Sequence, residues 1–136
     1  MILLVDDEEG YRELVARMLT KAGCEVVQAA DGIQALSLLE KSKIDLVISD
    51  ILMPVLNGYA LVARLRAKWP KMPVILTTGF LPAAKTMMNG SVDFIPKPID
   101  PELLIQTVQR LMPQLAKTCV PDKALPITPL RYPRLQ

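Results

Sequence analysis

Apolar and polar positions follow two alternating rhythms along this chain. Ile2–Val5 is an unbroken apolar run that stops at Asp6-Asp7-Glu8. Over 8–22 the period becomes helical, with Tyr11, Leu14, Val15, Met18, Leu19 and Ala22 on one stripe. Acids at the start, Lys21 near the end and Gly23 beyond it suit a helix dipole and a C-terminal stop. A short strand is expected in CEVVQA (24–29), then a helix opened by Asp31-Gly32 and carrying Ile33, Ala35, Leu36 and Leu39. The run 44–49 is almost wholly apolar and rich in β-branched residues, the pattern of a strand covered on both faces. Met53-Pro54 and Asn57-Gly58 predict a loop, 59–68 a helix ended by Pro70 and Pro73, and 73–78 a fourth strand. A weak, short helix is expected over 82–89 and a fifth strand over 92–95. Asp100-Pro101 predicts a last helix, with Leu103, Leu104, Val108 and Leu111 inward and Pro113 at its end.

Five strands, each followed by a helix, predict an α/β three-layer sandwich around a five-stranded parallel sheet. The domain is expected over 1–116. Residues 117–136 hold four prolines, have no apolar period and read as a Pro-rich tail or linker, expected to be disordered.

Composition narrows the chemistry. A chain of 136 residues fits one domain. There is no histidine, which excludes an imidazole base, a histidine-based triad and a His-containing zinc site. Cys24 and Cys119 lie far apart, so neither a disulfide framework nor a metal ribbon is expected, and the setting reads as reducing and cytoplasmic. Neither a secretory leader nor a membrane span is read from the sequence. The net charge of +2 comes from the tail, where four basic groups face Asp122 alone. That is poor grounds for a nucleic-acid surface on the domain.

Ligands of an open parallel sheet bind beyond the carboxyl ends of its strands. Asp6-Asp7-Glu8 follows the first strand, Asp50 ends the third, Thr77-Thr78-Gly79 ends the fourth and Pro96-Lys97-Pro98 follows the fifth. Clustered carboxylates repel unless a cation joins them, and their hard oxygens match Mg²⁺. Carboxylates, a hydroxyl, an ammonium and Mg²⁺ suit phosphoryl transfer, whose transition state spreads negative charge over the phosphoryl oxygens. An aspartate can itself accept the phosphoryl group, and it is ionised at neutral pH without a histidine base.

LLVDDEE, VISDILMPVLNG, PVILTTG and DFIPKP, in that order over residues 2 to about 115, resemble the receiver domains of two-component response regulators. The resemblance implies a flavodoxin-like sheet of order 2-1-3-4-5 and a phospho-accepting Asp50. It implies Mg²⁺ held by Asp6, Asp7, Asp50 and the backbone carbonyl of Leu52. Thr78 would be the switch hydroxyl, Phe94 the aromatic that moves with it, and Lys97 the phosphate partner, joined to Pro98 by a cis peptide. Gly79 would leave room for the phosphodonor. The implied partner is a phosphohistidine on a histidine kinase or histidine phosphotransfer protein, with a weak or phosphorylation-dependent homodimer allowed and no nucleic acid or membrane bound. The spacing of 19 residues from Thr78 to Lys97 is shorter than is usual in the family, which leaves the fourth helix and its output face open. Leu52 and Phe80 stand where many relatives are polar, and are expected to shield an acyl phosphate from water.

Each piece alone has a plainer reading. Asp6-Asp7-Glu8 could cap a helix, Thr78 could be a β-former, Lys97 a solvated loop residue and Phe94 a packed aromatic. Asp50 at the end of an apolar strand resists such a reading, because a buried charge needs a partner. Asp31, Asp45, Asp93 and Asp100 read as turn and cap residues, and Trp69 as a capping or packing residue. Two other functions compete: a receiver-fold interaction module that no longer takes phosphate, and a Mg²⁺-dependent phosphatase working through an aspartyl phosphate. The first usually lacks one of the key residues. The second usually has Asp-x-Asp and a cap domain. Only about 20 residues follow the last helix, too few for a DNA-binding module, so the chain reads as a stand-alone receiver or as part of a longer protein such as a hybrid histidine kinase.

Overall fold

The computed structural model describes residues 1–79 and 92–113. In chain order its elements are β1 (Ile2–Val5), α1 (Glu9–Lys21), β2 (Val26–Ala29), α2 (Gly32–Lys41), β3 (Leu46–Asp50), α3 (Gly58–Lys68), β4 (Val74–Thr78), β5 (Asp93–Pro96) and α4 (Pro101–Leu111). The five strands form one parallel sheet of order β2-β1-β3-β4-β5. The helix expected over 82–89 and the tail over 117–136 lie outside the described residues.

The sheet divides the core in two. On one side, α2 and α3 cover Leu3, Val5, Val47 and Leu76 through Ala35, Leu39, Leu61, Val62 and Leu65. On the other, α1 and α4 cover Ile2, Leu4, Ile48, Ile75 and Ile95 through Val15, Leu19, Leu104 and Val108. Successive residues of β1 thus serve opposite halves, as a strand's period of two requires. That is why the inner strands read as continuous apolar runs. Edge strand β2 is only partly buried over Val26–Gln28.

Local chemistry starts each helix. Glu8 caps α1 by accepting from the Tyr11 amide, Asp31 caps α2 through the Gln34 amide, and Asp100 caps α4 through the Glu102 amide. These side chains satisfy amides that have no partner within the helix. Asp93 differs from the expected turn role, since it begins β5 and pairs with Arg110 of α4. Lys68 lies over the Trp69 ring at the end of α3, 5.3 Å from its centroid. Cys24, just before β2, is buried.

The Asn57-Gly58 pair is more than a loop. Asn57 caps α3 by accepting from the Ala60 amide at 2.9 Å, and Gly58 is the first helical residue. Its amide donates to the Ile51 carbonyl at 2.8 Å. A Cβ at this position would lie 2.7 Å from the Asp50 carbonyl oxygen and 2.8 Å from Ile51 Cα. Both are backbone atoms, with no rotamer that relieves the overlap. Gly58→Ala is therefore expected to lower unfolding stability by about 2 kcal/mol. Denaturant titration checks this, and an unchanged midpoint would show that the β3–α3 junction yields easily.

Candidate functional site

Three strand ends meet at one edge of the sheet. Asp6 directly follows β1. Its amide donates to the Ala29 carbonyl, and its carboxylate accepts from the Glu8 amide at 3.0 Å. Arg12 of α1 steadies the same turn, donating from Nη1 to the Asp6 carbonyl at 2.7 Å and from Nε to Gln28 of β2 at 2.9 Å. Asp50 is the last residue of β3 and is buried, as are Asp6, Thr77 and Thr78. Asp7 is exposed. Carboxylate oxygens of Asp6, Asp7 and Asp50 all lie within 4.8 Å of one another.

Lys97 closes this group from β5. Its Nζ lies 3.3 Å from Asp6 Oδ2 and 3.2 Å from Asp50 Oδ2. The Lys97 amide donates to the Thr78 carbonyl at 3.0 Å, continuing the β4–β5 ladder. The peptide bond between Lys97 and Pro98 is cis. Thr78 ends β4 in register with Pro96, while neighbouring Thr77 is opposite Asp50 and donates its hydroxyl to the Ser49 carbonyl. Leu52 is in the loop after Asp50 with its side chain 73% exposed, and Phe80 lies outside the described residues. Phe94 is half-buried and packs on the α2–α3 side of the core. Among the described residues, a Cβ on Gly79 would meet nothing within 4 Å.

The electrostatics show too little positive charge. Burial raises the Asp50 carboxyl above its ordinary value of 3.8, and Lys97 only partly offsets this while Asp6 adds to it. Burial pulls the Lys97 ammonium down, but Asp50 and Asp6 together more than reverse that, so its net shift is upward. The two shifts agree: Lys97 gains from both carboxylates, while for Asp50 burial outweighs the charge that Lys97 brings. Asp7 adds a third carboxylate nearby. Three hard oxygen donors with unbalanced negative charge fit a Mg²⁺ ion, which takes few protein ligands and keeps several waters.

Two contributors were not legible beforehand. Tyr11 was expected on one apolar stripe of α1, and it packs against that side of the core. What the sequence did not show is that it is only half-buried there, with its ring 4.6 Å from Lys97 Nζ and its hydroxyl accepting from the Ile99 amide at 2.9 Å. Val55, 77% exposed in the β3–α3 loop, has φ of 71°. A β-branched residue is strained in that region, and no feature of its sequence surroundings announces it.

Residues 2–109 match the response regulator receiver domain family. The chain is 38% identical over 118 residues to the transcriptional regulatory protein GlrR of Escherichia coli K12, covering 85% of this chain and 27% of that protein. It thus spans about a quarter of that relative's length. Among solved structures, the receiver domain from the hybrid histidine kinase CckA is 37% identical with a TM-score of 0.70, covering 82% of this chain and 97% of that one. The chemotaxis protein CheY4 of Vibrio cholerae is 36% identical with a TM-score of 0.75, covering 81% and 96%. Among the described residues no helix is long and apolar enough to cross a membrane.

The raised Asp50 pKa sets a stability prediction. A carboxyl whose pKa is higher folded than unfolded favours folding when protonated, and that contribution is lost as pH rises through the carboxylate range. Without divalent ions at neutral pH, Asp50→Asn is expected to stabilise the protein by on the order of 1 kcal/mol. The difference should vanish as pH falls below the ordinary carboxylate range, where wild-type Asp50 is neutral too. Thermal unfolding of both proteins across pH checks this. An asparagine variant less stable at neutral pH would show that pairing with Lys97 outweighs burial.

Proposed function

The chain belongs to the response regulator receiver domain family, and on that footing we propose that Asp50 accepts a phosphoryl group from a phosphohistidine on a histidine kinase or histidine phosphotransfer protein. An Asp50 carboxylate oxygen forms the new P–O bond as the P–N bond to the partner's imidazole breaks. Asp6, Asp7, Asp50 and the Leu52 carbonyl would hold Mg²⁺. When bound, the ion supplies positive charge to the phosphoryl oxygens and lets a crowded carboxylate meet an anionic donor.

The chain's own groups do the rest. Lys97 presents its ammonium beside Asp50, where negative charge develops. Thr78, at the end of the strand between those of Asp50 and Lys97, offers a hydroxyl to the phosphorylated product. Its turn toward the phosphoryl oxygens, with an inward move of Phe94, is the switch that changes partner binding. The receiver unit is taken as 1–116, acting in the cytoplasm without binding nucleic acid itself. The phosphoryl group is later lost by hydrolysis. Membership of a hybrid histidine kinase is a second reading, favoured by the likeness to the CckA receiver.

The observation that carries this proposal is the bridge from Lys97 Nζ to both Asp6 and Asp50. Incubation with acetyl phosphate and Mg²⁺, followed by intact-mass spectrometry, is expected to give a single phosphoryl adduct. It should be labile to hydroxylamine, absent from Asp50→Asn and abolished by chelation. A wild type that binds Mg²⁺ but takes no adduct would make it an interaction module. Many turnovers of a small phosphate ester per protein would make it a phosphatase.

A further inference from the structure

Lys97 is held from three directions, and only two are acidic. Asp6 and Asp50 approach its Nζ at 3.3 and 3.2 Å, while the Tyr11 ring covers it at 4.6 Å from the centroid. That separation lies within the range where an aromatic face attracts an ammonium. The same tyrosine makes a second contact with this segment, because its hydroxyl accepts from the Ile99 amide at 2.9 Å. Ile99 is two residues beyond Lys97. One side chain of α1 therefore holds both the tip of the lysine and the backbone that follows it.

A lysine stem has four rotatable carbons, and its ammonium is strongly hydrated. Two carboxylates attract the charge without fixing its approach, since an ammonium can pair from many directions. The lysine side chain is 26% exposed, so water competes for it. A flat ring on another side restricts the tip and displaces water without adding a formal charge. Further negative charge there would pull the ammonium away from Asp50.

We propose that Tyr11 is the positioning residue for Lys97: its ring holds the ammonium beside Asp50, and its hydroxyl fixes the chain beyond. This rests on the phosphoacceptor reading above. The ring is the larger contributor, because the loop remains tied by the β4–β5 ladder and by the Asp100 cap of α4 when the hydroxyl is lost.

The test uses the full chain with Tyr11→Phe, which keeps the ring, and Tyr11→Leu, which removes it. NMR of the Lys97 ε-methylene, assigned through Lys97→Arg, reads the geometry without any phosphodonor. An upfield ring-current shift is expected in the wild type and in Tyr11→Phe, and an ordinary lysine shift in Tyr11→Leu. With acetyl phosphate and Mg²⁺, the initial rate should fall roughly fivefold in Tyr11→Leu and be mostly retained in Tyr11→Phe. A Lys97 shift that is ordinary in the wild type overturns the proposal. So do equal rates in the wild type and Tyr11→Leu, and so does a loss in Tyr11→Phe as large as in Tyr11→Leu. If Tyr11→Leu does not fold, the Lys97 shift in the wild type and Tyr11→Phe decides. A wild type that takes no phosphoryl group refutes the function above, and the NMR comparison still decides where the ring holds the lysine.

Discussion

One ammonium shared between two buried carboxylates governs this end of the molecule. The strand order makes it possible. β1 and β3 are neighbours, so Asp6 and Asp50 leave the sheet side by side. β5 is two strands from β3, on the order of 10 Å at ordinary strand spacing. The residue after β5 must span that distance to reach Asp50, and a lysine is long enough. β4 lies between, which puts Thr78 at the strand end between the acid and the base. Removing the ammonium would leave two buried carboxylates without a counter-charge, the costly outcome for such groups.

That arrangement was partly legible. Each polar group that matters directly follows or ends an apolar run, and a parallel sheet gathers such positions at one edge. The runs expected for the third and fifth strands began and ended slightly early and that for the fourth began slightly early, because the apolar pattern and the hydrogen-bonded ladder do not start and stop at the same residues. Asp50 and Pro96 both belong to their strands. Tyr11 and Gly58 do more than the sequence showed, for different reasons. Periodicity put Tyr11 on the inward stripe of α1, where it packs, but does not report what a half-covered side chain touches. Asn-Gly is a turn signal in isolation, and only the nearness of Ile51 makes it a cap followed by a close approach. Asp31 and Asp100 were read correctly because capping is a local event, decided within three residues.

The β3–α3 loop carries strain because both of its ends are held. The Ile51 amide bonds to the Thr77 carbonyl, and the Gly58 amide to that of Ile51. Between them Leu56 turns back on Pro54 through a further backbone bond. A short segment closed this way has few routes, and the one taken puts Val55 at φ of 71°. A residue in such a region costs about 1–3 kcal/mol and persists only where its surroundings dictate it. Here the dictating groups are the strand bearing Asp50 and the first turn of α3.

The bond from the Lys97 amide to the Thr78 carbonyl has a consequence for how the chain can vary. It fixes the two ends of the β4–β5 connection against each other, and the Lys97 tip is then set by β1, β3 and α1. Nothing in that arrangement measures how many residues lie between Thr78 and Asp93. Closure entropy changes slowly with the length of a connection, by about 0.6 kcal/mol per doubling. The spacing from Thr78 to Lys97 is therefore a free parameter of the sequence. A change in that number leaves the contacts that set the charges at the sheet edge in place.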